Sequence, residues 1–173
     1  MIMPRGSDQL LLPVNPLFIA LSLLAALAFN LLPLGRHPAL PDMLVLTLAF
    51  WAVYQPRRVG VGMAFTFGLL MDVHQGALLG QHALAYTLLA FFALALSRRL
   101  TWFTPLQQAL QVLPLFVAAH AVSLVVRLGA GDLFPGWSLF VAPLIEAALW
   151  PLVTLALLAP QRRAPDPDQN RPL

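Results

Sequence analysis

Six apolar stretches follow one another along the chain, and short polar segments separate them. The stretches cover about 17–34, 40–54, 59–70, 78–96, 106–126 and 137–159. With their neutral flanks they approach the roughly 20 residues with which a helix crosses a lipid bilayer, where backbone polar groups find partners only within the chain. The pattern therefore predicts an all-α integral membrane protein built as a bundle of six transmembrane helices.

The arginines predict an orientation for this bundle. With a cytoplasmic N-terminus, only Arg36 and Arg127 lie on the outer side. The inner side then carries all the others, which are Arg5, Arg57, Arg58, Arg98, Arg99, Arg162, Arg163 and Arg171. Short cytoplasmic loops are enriched in Lys and Arg, so this count predicts that both termini are cytoplasmic and that the protein is multi-pass.

Composition fits a single membrane domain over 17–159. Of 173 residues, 60% are hydrophobic and 10% charged, which is too apolar for a soluble fold of this length. The polar, proline-containing ends, 1–16 and 160–173, are predicted to be mobile or disordered cytoplasmic tails. The net charge of +3 comes from arginines spread over helix ends, so we expect a lipid bilayer around the protein and no nucleic acid.

The third stretch is short for a membrane crossing, so either its helix continues through Asp72, Val73 and His74 or the bilayer is thinner there. Gly60, Ala64, Gly68 and Asp72 follow at four-residue steps, which makes a ridge of small residues that another helix can approach closely. Asp72 is therefore expected to face protein. Its candidate partners are His74, Arg36, Arg127 and the backbone N–H groups leading into the fourth helix. The role of Asp72 is then either a binding contact or a structural cap of this turn.

Glu146 falls about midway along the sixth stretch, where a charge is costly. It is either a proton or cation site, or a neutral acid hydrogen-bonded to a neighbouring helix. His120 lies on a polar face of the fifth helix, and His82 with Tyr86 can add to the same interior. We find no second ligand for a metal at suitable spacing, no catalytic constellation and no nucleotide loop, so we expect no metal, no cofactor and no enzyme.

Pro151 lies inside the sixth stretch and predicts a bend there. Trp150 precedes it and is expected either to pack at this bend or to anchor the helix at the inner membrane interface. Asp42, after Pro41, is expected to open the second helix.

Several short motifs, taken in order, resemble the bacterial rod shape-determining membrane protein family MreD over about 40–158. The motifs are Pro41-Asp42, Trp51, Pro56-Arg57-Arg58-Val59-Gly60-Val61-Gly62, Gly68-Leu69-Leu70-Met71-Asp72, Leu79-Gly80, Trp102 with Gln107-Gln108-Ala109-Leu110, and Leu149-Trp150-Pro151. The resemblance implies a non-enzymatic scaffold of the cell-elongation complex in the cytoplasmic (inner) membrane. It also implies a fold similar to the substrate-binding subunits of energy-coupling-factor transporters.

The implied partners are MreC first, then MreB, and RodA with its partner transpeptidase in peptidoglycan synthesis. Under this hypothesis the MreC helix binds an exposed small-residue face formed by Gly60, Ala64, Gly68 and Asp72. The alternative is a small-molecule-binding membrane subunit of a transporter, with Asp72, His74 and residues of the fifth and sixth helices lining an outward pocket. An intramembrane enzyme is a third, disfavoured interpretation.

Overall fold

The computed structural model describes residues 14–32 and 39–161, and within these ranges the fold is entirely helical. All six apolar stretches form α-helices, as predicted. The helices are α1 (Pro16–Leu31), α2 (Met43–Tyr54), α3 (Val61–Gln75), α4 (Gln81–Leu100), α5 (Pro105–Gly129) and α6 (Val141–Leu158). Short 3₁₀ turns flank α6 at Trp137–Phe140 and Ala159–Gln161. Arg36 and most residues of the two predicted tails lie outside the described ranges.

Side chains placed before the helices explain where three of them begin. The Asn15 side chain accepts a hydrogen bond from the Leu17 amide at the start of α1. Asp42 caps α2, and Thr104 forms a reciprocal capping box with Gln107 at the start of α5. Such caps satisfy amides that have no partner in the first helical turn.

The third helix is longer than its apolar stretch. It continues through Asp72 and His74 to Gln75, which is the first of the two alternatives expected for this stretch. Gly76 then adopts a left-handed conformation with φ of 60°, which stops the helix and suits a residue without a side chain.

Helix α2 occupies the centre of the bundle. Consecutive helices from α3 to α6 pack against one another, while α2 contacts α1, α4 and α6. Ten of the twelve residues of α2 are buried, so this short helix is surrounded by protein.

Three segments within the described ranges are long and apolar enough to cross a membrane. They are Gln81–Leu100, Pro105–Gly129 and Trp137–Gln161. Helices α1 and α2 are apolar but shorter, with 16 and 12 residues. The six-span arrangement and its orientation stay predictions.

A polar centre lies near the end of α2, around Tyr54. The Gln108 side chain is buried and accepts hydrogen bonds from the Tyr54 hydroxyl and the Trp150 ring nitrogen, both at 3.0 Å. Its amide nitrogen donates to the carbonyl groups of Leu100 and Phe103. Trp150 therefore packs inside the bundle, one residue before the half-buried Pro151 of α6. The alternative expectation of an interfacial anchor is wrong.

Candidate functional site

Asp72 holds the turn between α3 and α4. Its carboxylate accepts hydrogen bonds from the Gly80 amide at 2.8 Å and the His82 amide at 2.7 Å, and more weakly from the Ala83 amide at 3.4 Å. The His82 ring nitrogen Nδ1 lies 2.8 Å from the same carboxylate. Asp72 is 1% exposed, so it faces protein as expected and caps the first turn of α4.

Neither His74 nor Arg127 is a partner of Asp72, and Arg36, the other candidate, lies outside the described residues. His74 is exposed, and Arg127 pairs with Asp132 at 3.2 Å. The backbone amides are the partners of Asp72, because α4 begins with unpaired N–H groups that point at the end of α3.

The small-residue ridge of α3 is covered by α4 of the same chain. Ala64 is fully buried, and a Cβ atom at Gly68 would lie 2.3 Å from the Cα atom of Ala83. The expectation that this ridge is an exposed face is therefore wrong from Ala64 to Asp72, because the two helix backbones touch there. A Cβ atom added at Gly60 would meet no atom within 4 Å, and the role of Gly60 in partner binding stays a prediction.

Asp42 is the hub of a polar cluster where α2 begins. Its Oδ1 atom accepts from the Asn30 side-chain amide at 2.6 Å and from the amides of Leu44 and Val45 at 2.9 and 3.0 Å. Its Oδ2 atom accepts from the Tyr86 hydroxyl. The cluster therefore joins α1, α2 and α4.

Glu146 extends the Asp42 cluster to α5 and α6. Its Oε1 atom accepts from the Asp42 backbone amide at 2.9 Å and lies 3.4 Å from Nε2 of His120. Glu146 is fully buried, and its Oε2 atom has no hydrogen-bond partner within the described residues. The sequence singled out Glu146 and His120, but it did not pair either of them with Asp42.

A large cavity opens at the same end of the bundle. Its volume is about 1150 Å³, within the described part of the chain. The wall mixes apolar residues with polar side chains, among them Asn30, Asp42, His74, His82, Tyr86, His120, Ser123 and Arg127. Of the residues expected to line an outward pocket, His74 and residues of α5 do so, whereas Asp72 lies behind His82 and is not on the wall.

The described residues contain no group of three or more His, Cys, Asp or Glu side chains placed to hold a metal ion. Most polar side chains of the cavity wall already have hydrogen-bond partners within the protein. The buried acids Asp72 and Glu146 lie behind the wall.

Comparison with known proteins identifies the family. Residues 10–158 match the family described as rod shape-determining protein MreD. This chain belongs to the MreD family. The chain is also 30% identical over 135 residues to the rod shape-determining protein MreD of Haemophilus influenzae, which covers 76% of this chain and 81% of that protein. No solved structure matches the chain.

The MreD match covers the polar centres described above. Its range, 10–158, contains α1 through α6, and with them Asp42, Asp72, Gln108 and Glu146. The cavity wall falls within the same range, so the polar end of the bundle belongs to the MreD region.

Proposed function

We propose that this protein is a scaffold of the bacterial cell-elongation complex, a multi-pass protein of the inner membrane that binds MreC through helix-to-helix contacts. The observation that carries the proposal is the match to the rod shape-determining family over 10–158. In this role the protein is not an enzyme. It acts with MreB, RodA and the partner transpeptidase through the complex.

The orientation is proposed from the arginines. Arg57 and Arg58 follow α2 and Arg98 and Arg99 end α4, while Arg127 ends α5. The positive-inside rule then puts the cavity on the periplasmic side and both termini in the cytoplasm.

The absence of cysteine allows a direct topology experiment, because a single introduced cysteine is the only reactive thiol. In intact spheroplasts, a membrane-impermeant maleimide is expected to label Asp132→Cys at once. Thr101→Cys, at the opposite end of the bundle, is expected to react only after permeabilisation. The reverse result would invert the proposed topology.

The outer face of α3 is the surface that we propose for MreC. Gly62 is exposed, and a Cβ atom added there would meet no atom within 4 Å. Thr66, one turn later, is also exposed and folds its hydroxyl onto the Gly62 carbonyl at 2.9 Å. This leaves a smooth surface on which a transmembrane helix can pack closely.

The experiment is purification of the tagged protein from its own cells in mild detergent, with mass spectrometry of what accompanies it. MreC is expected with the wild type and is expected to be reduced with Gly62→Leu. Gly129→Leu is the matched control, because Gly129 also has open space around it, at the far end of α5. Recovery of transporter ATPases without wall-synthesis proteins would overturn the scaffold proposal.

Small-molecule binding is a second candidate function, and the cavity of about 1150 Å³ favours it. Its volume slightly exceeds the range of about 300–1000 Å³ typical of ligand pockets. Native mass spectrometry of the protein released from its own membranes is expected to show a bound molecule. That mass is expected to be lost with Ser123→Phe, which takes up part of the cavity, and kept with Val125→Phe, which points outward. An unliganded wild type would contradict this candidate.

A further inference from the structure

Glu146 is the only glutamate of the chain, and its carboxyl group is poorly satisfied for a buried acid. One backbone amide donates to its Oε1 atom, and none of the described residues contacts its buried Oε2 atom through a hydrogen bond. A carboxylate in such a place loses its hydration without regaining it from the protein, which is costly. The geometry therefore favours the neutral acid at this position.

Asp42 shows the contrast within the same cluster. Its carboxylate accepts from three N–H groups and one hydroxyl, all of which are donors. An ionised carboxylate only accepts hydrogen bonds and can accept about four, so this set of donors suits the charged form. Asp42 thus carries the negative charge of the cluster, and a second charge on Glu146 would lie beside it.

Among the described residues, no arginine stands beside Glu146 as a compensating cation. Asp42 faces it from the start of α2, His120 from α5 and Tyr86 from α4, with the Asp72–His82 pair behind Tyr86. Within the described ranges no arginine forms an ion pair with Glu146, because Arg127 is engaged with Asp132.

The hydrogen bonds of His120 define its protonation. Its Nδ1 atom lies 3.0 Å from the Phe116 carbonyl oxygen, which only accepts, so Nδ1 carries a hydrogen. In the neutral ring Nε2 is then bare, and this is the atom that faces Glu146 at 3.4 Å. His120 also lines the cavity, whereas Glu146 has no exposed surface.

We propose that Glu146 is a proton-binding site buried behind His120 in the cavity wall and that His120 is the group through which its proton exchanges with water. The carboxylic acid transfers its proton to Nε2 of His120, which leaves a carboxylate and an imidazolium. The imidazolium then releases its Nε2 proton to water in the cavity, which restores the neutral ring with its hydrogen on Nδ1, and the reverse steps reload the site.

The proton also affects packing. When Glu146 is neutral, the cluster holds one negative charge, on Asp42, where α2, α5 and α6 meet. When the proton leaves, two adjacent carboxylates repel each other at that junction. Proton binding is therefore coupled to the fit of α6 against α2, independently of which partner the protein binds.

Infrared spectroscopy tests the site directly. Cell-free synthesis with glutamate ¹³C-labelled at the side-chain carboxyl labels Glu146 alone, because the chain has no other glutamate. In nanodiscs at neutral pH we expect a carbonyl-stretch band of a protonated acid, shifted by the label and absent from Glu146→Gln. Asp132→Asn is the control and is expected to keep the band. A labelled carboxylate band without the acid band would overturn the proposal, and the labelled wild type gives this answer even when Glu146→Gln fails to fold.

The role of His120 has its own readout. After transfer to D₂O, the acid band is expected to shift at least tenfold more slowly in His120→Leu than in the wild type. His74→Leu is the matched control, since His74 also lines the cavity without contacting Glu146. An unchanged exchange rate in His120→Leu would remove His120 from the proposal.

Discussion

Two buried acids of this protein, Asp72 and Glu146, solve the same physical problem in different ways. Asp72 accepts from backbone amides that follow it by 8 and 10 residues in the chain, and from a histidine ring of the same turn. Glu146 accepts from one amide 104 residues away and keeps one oxygen unpaired among the described residues. Both have almost no exposed surface.

The difference separates a structural acid from one available for chemistry. A carboxylate whose lone pairs are filled by fixed amides gains nothing from a proton, so Asp72 serves the turn between α3 and α4. A carboxyl group with an unfilled oxygen beside a histidine can change its protonation without breaking a cap.

Removing the Asp72 carboxylate is expected to have the largest effect. Asp72→Ala leaves the Gly80 and His82 amides without their acceptor, which we expect to cost about 2–4 kcal/mol of unfolding free energy. Thermal unfolding of the purified protein in detergent measures it. Asp132→Ala, which breaks an exposed ion pair, is the control and is expected to change stability by less than about 1 kcal/mol. Equal losses in the two variants would mean that Asp72 is not a cap.

A side chain at the close contact between α3 and α4 is expected to have the next largest effect on stability. Gly68→Ala places a Cβ atom 2.3 Å from the Ala83 backbone, so α4 must move, at a cost of about 1–3 kcal/mol. Gly62→Ala has open space and is the matched control, with an expected change of at most about 1 kcal/mol in the stabilising direction. The same unfolding assay compares the two, and an unaltered Gly68→Ala would show that the contact is loose.

A smaller loss is expected from the cluster around Asp42. Tyr86→Phe removes the hydroxyl that donates to the Asp42 carboxylate, at a cost of about 1–2 kcal/mol. The double variant with Glu146→Gln is expected to deviate from additivity, since both residues contact Asp42. Strict additivity would mean that Asp42 does not couple them.

The smallest effect is expected from Glu146→Gln, and it sharpens the comparison most. The amide carbonyl can still accept from Asp42, and no charge is lost from a neutral acid, so we expect a change below about 1 kcal/mol. The same chemical change at Asp72, Asp72→Asn, sets an amide donor against amide donors and is expected to cost about 1.5–3 kcal/mol. Paired unfolding curves decide, and a greater loss for Glu146→Gln would identify Glu146 as the ionised, structural acid.

Local features of this protein could be predicted from the sequence. The six helices follow from continuous apolar stretches, and the turn after Asp72 follows from a helix end and a helix start only a few residues apart. That Asp72 faces protein follows from its place on the ridge with Gly68.

Contacts between distant helices could not be predicted. The pairing of Asp42 with Glu146 depends on how far α6 slides along α2, which no short-range pattern encodes. The sequence points to Gln108 only through a motif of the family resemblance, although a glutamine in a long apolar stretch is a signal for a buried polar centre. The ridge of α3 predicts a close helix contact but not its partner, because small residues do not reveal whether the approaching helix belongs to the same chain.

The enclosed position of α2 has a consequence for folding during synthesis. Asp42 leaves the ribosome 104 residues before Glu146, an interval of about 5–20 s at ordinary rates of synthesis. Throughout that time α2 lacks α6, and for about the first half of it α2 also lacks α4. The burial of α2 is therefore incomplete until α6, the last helix to be translated, has been made.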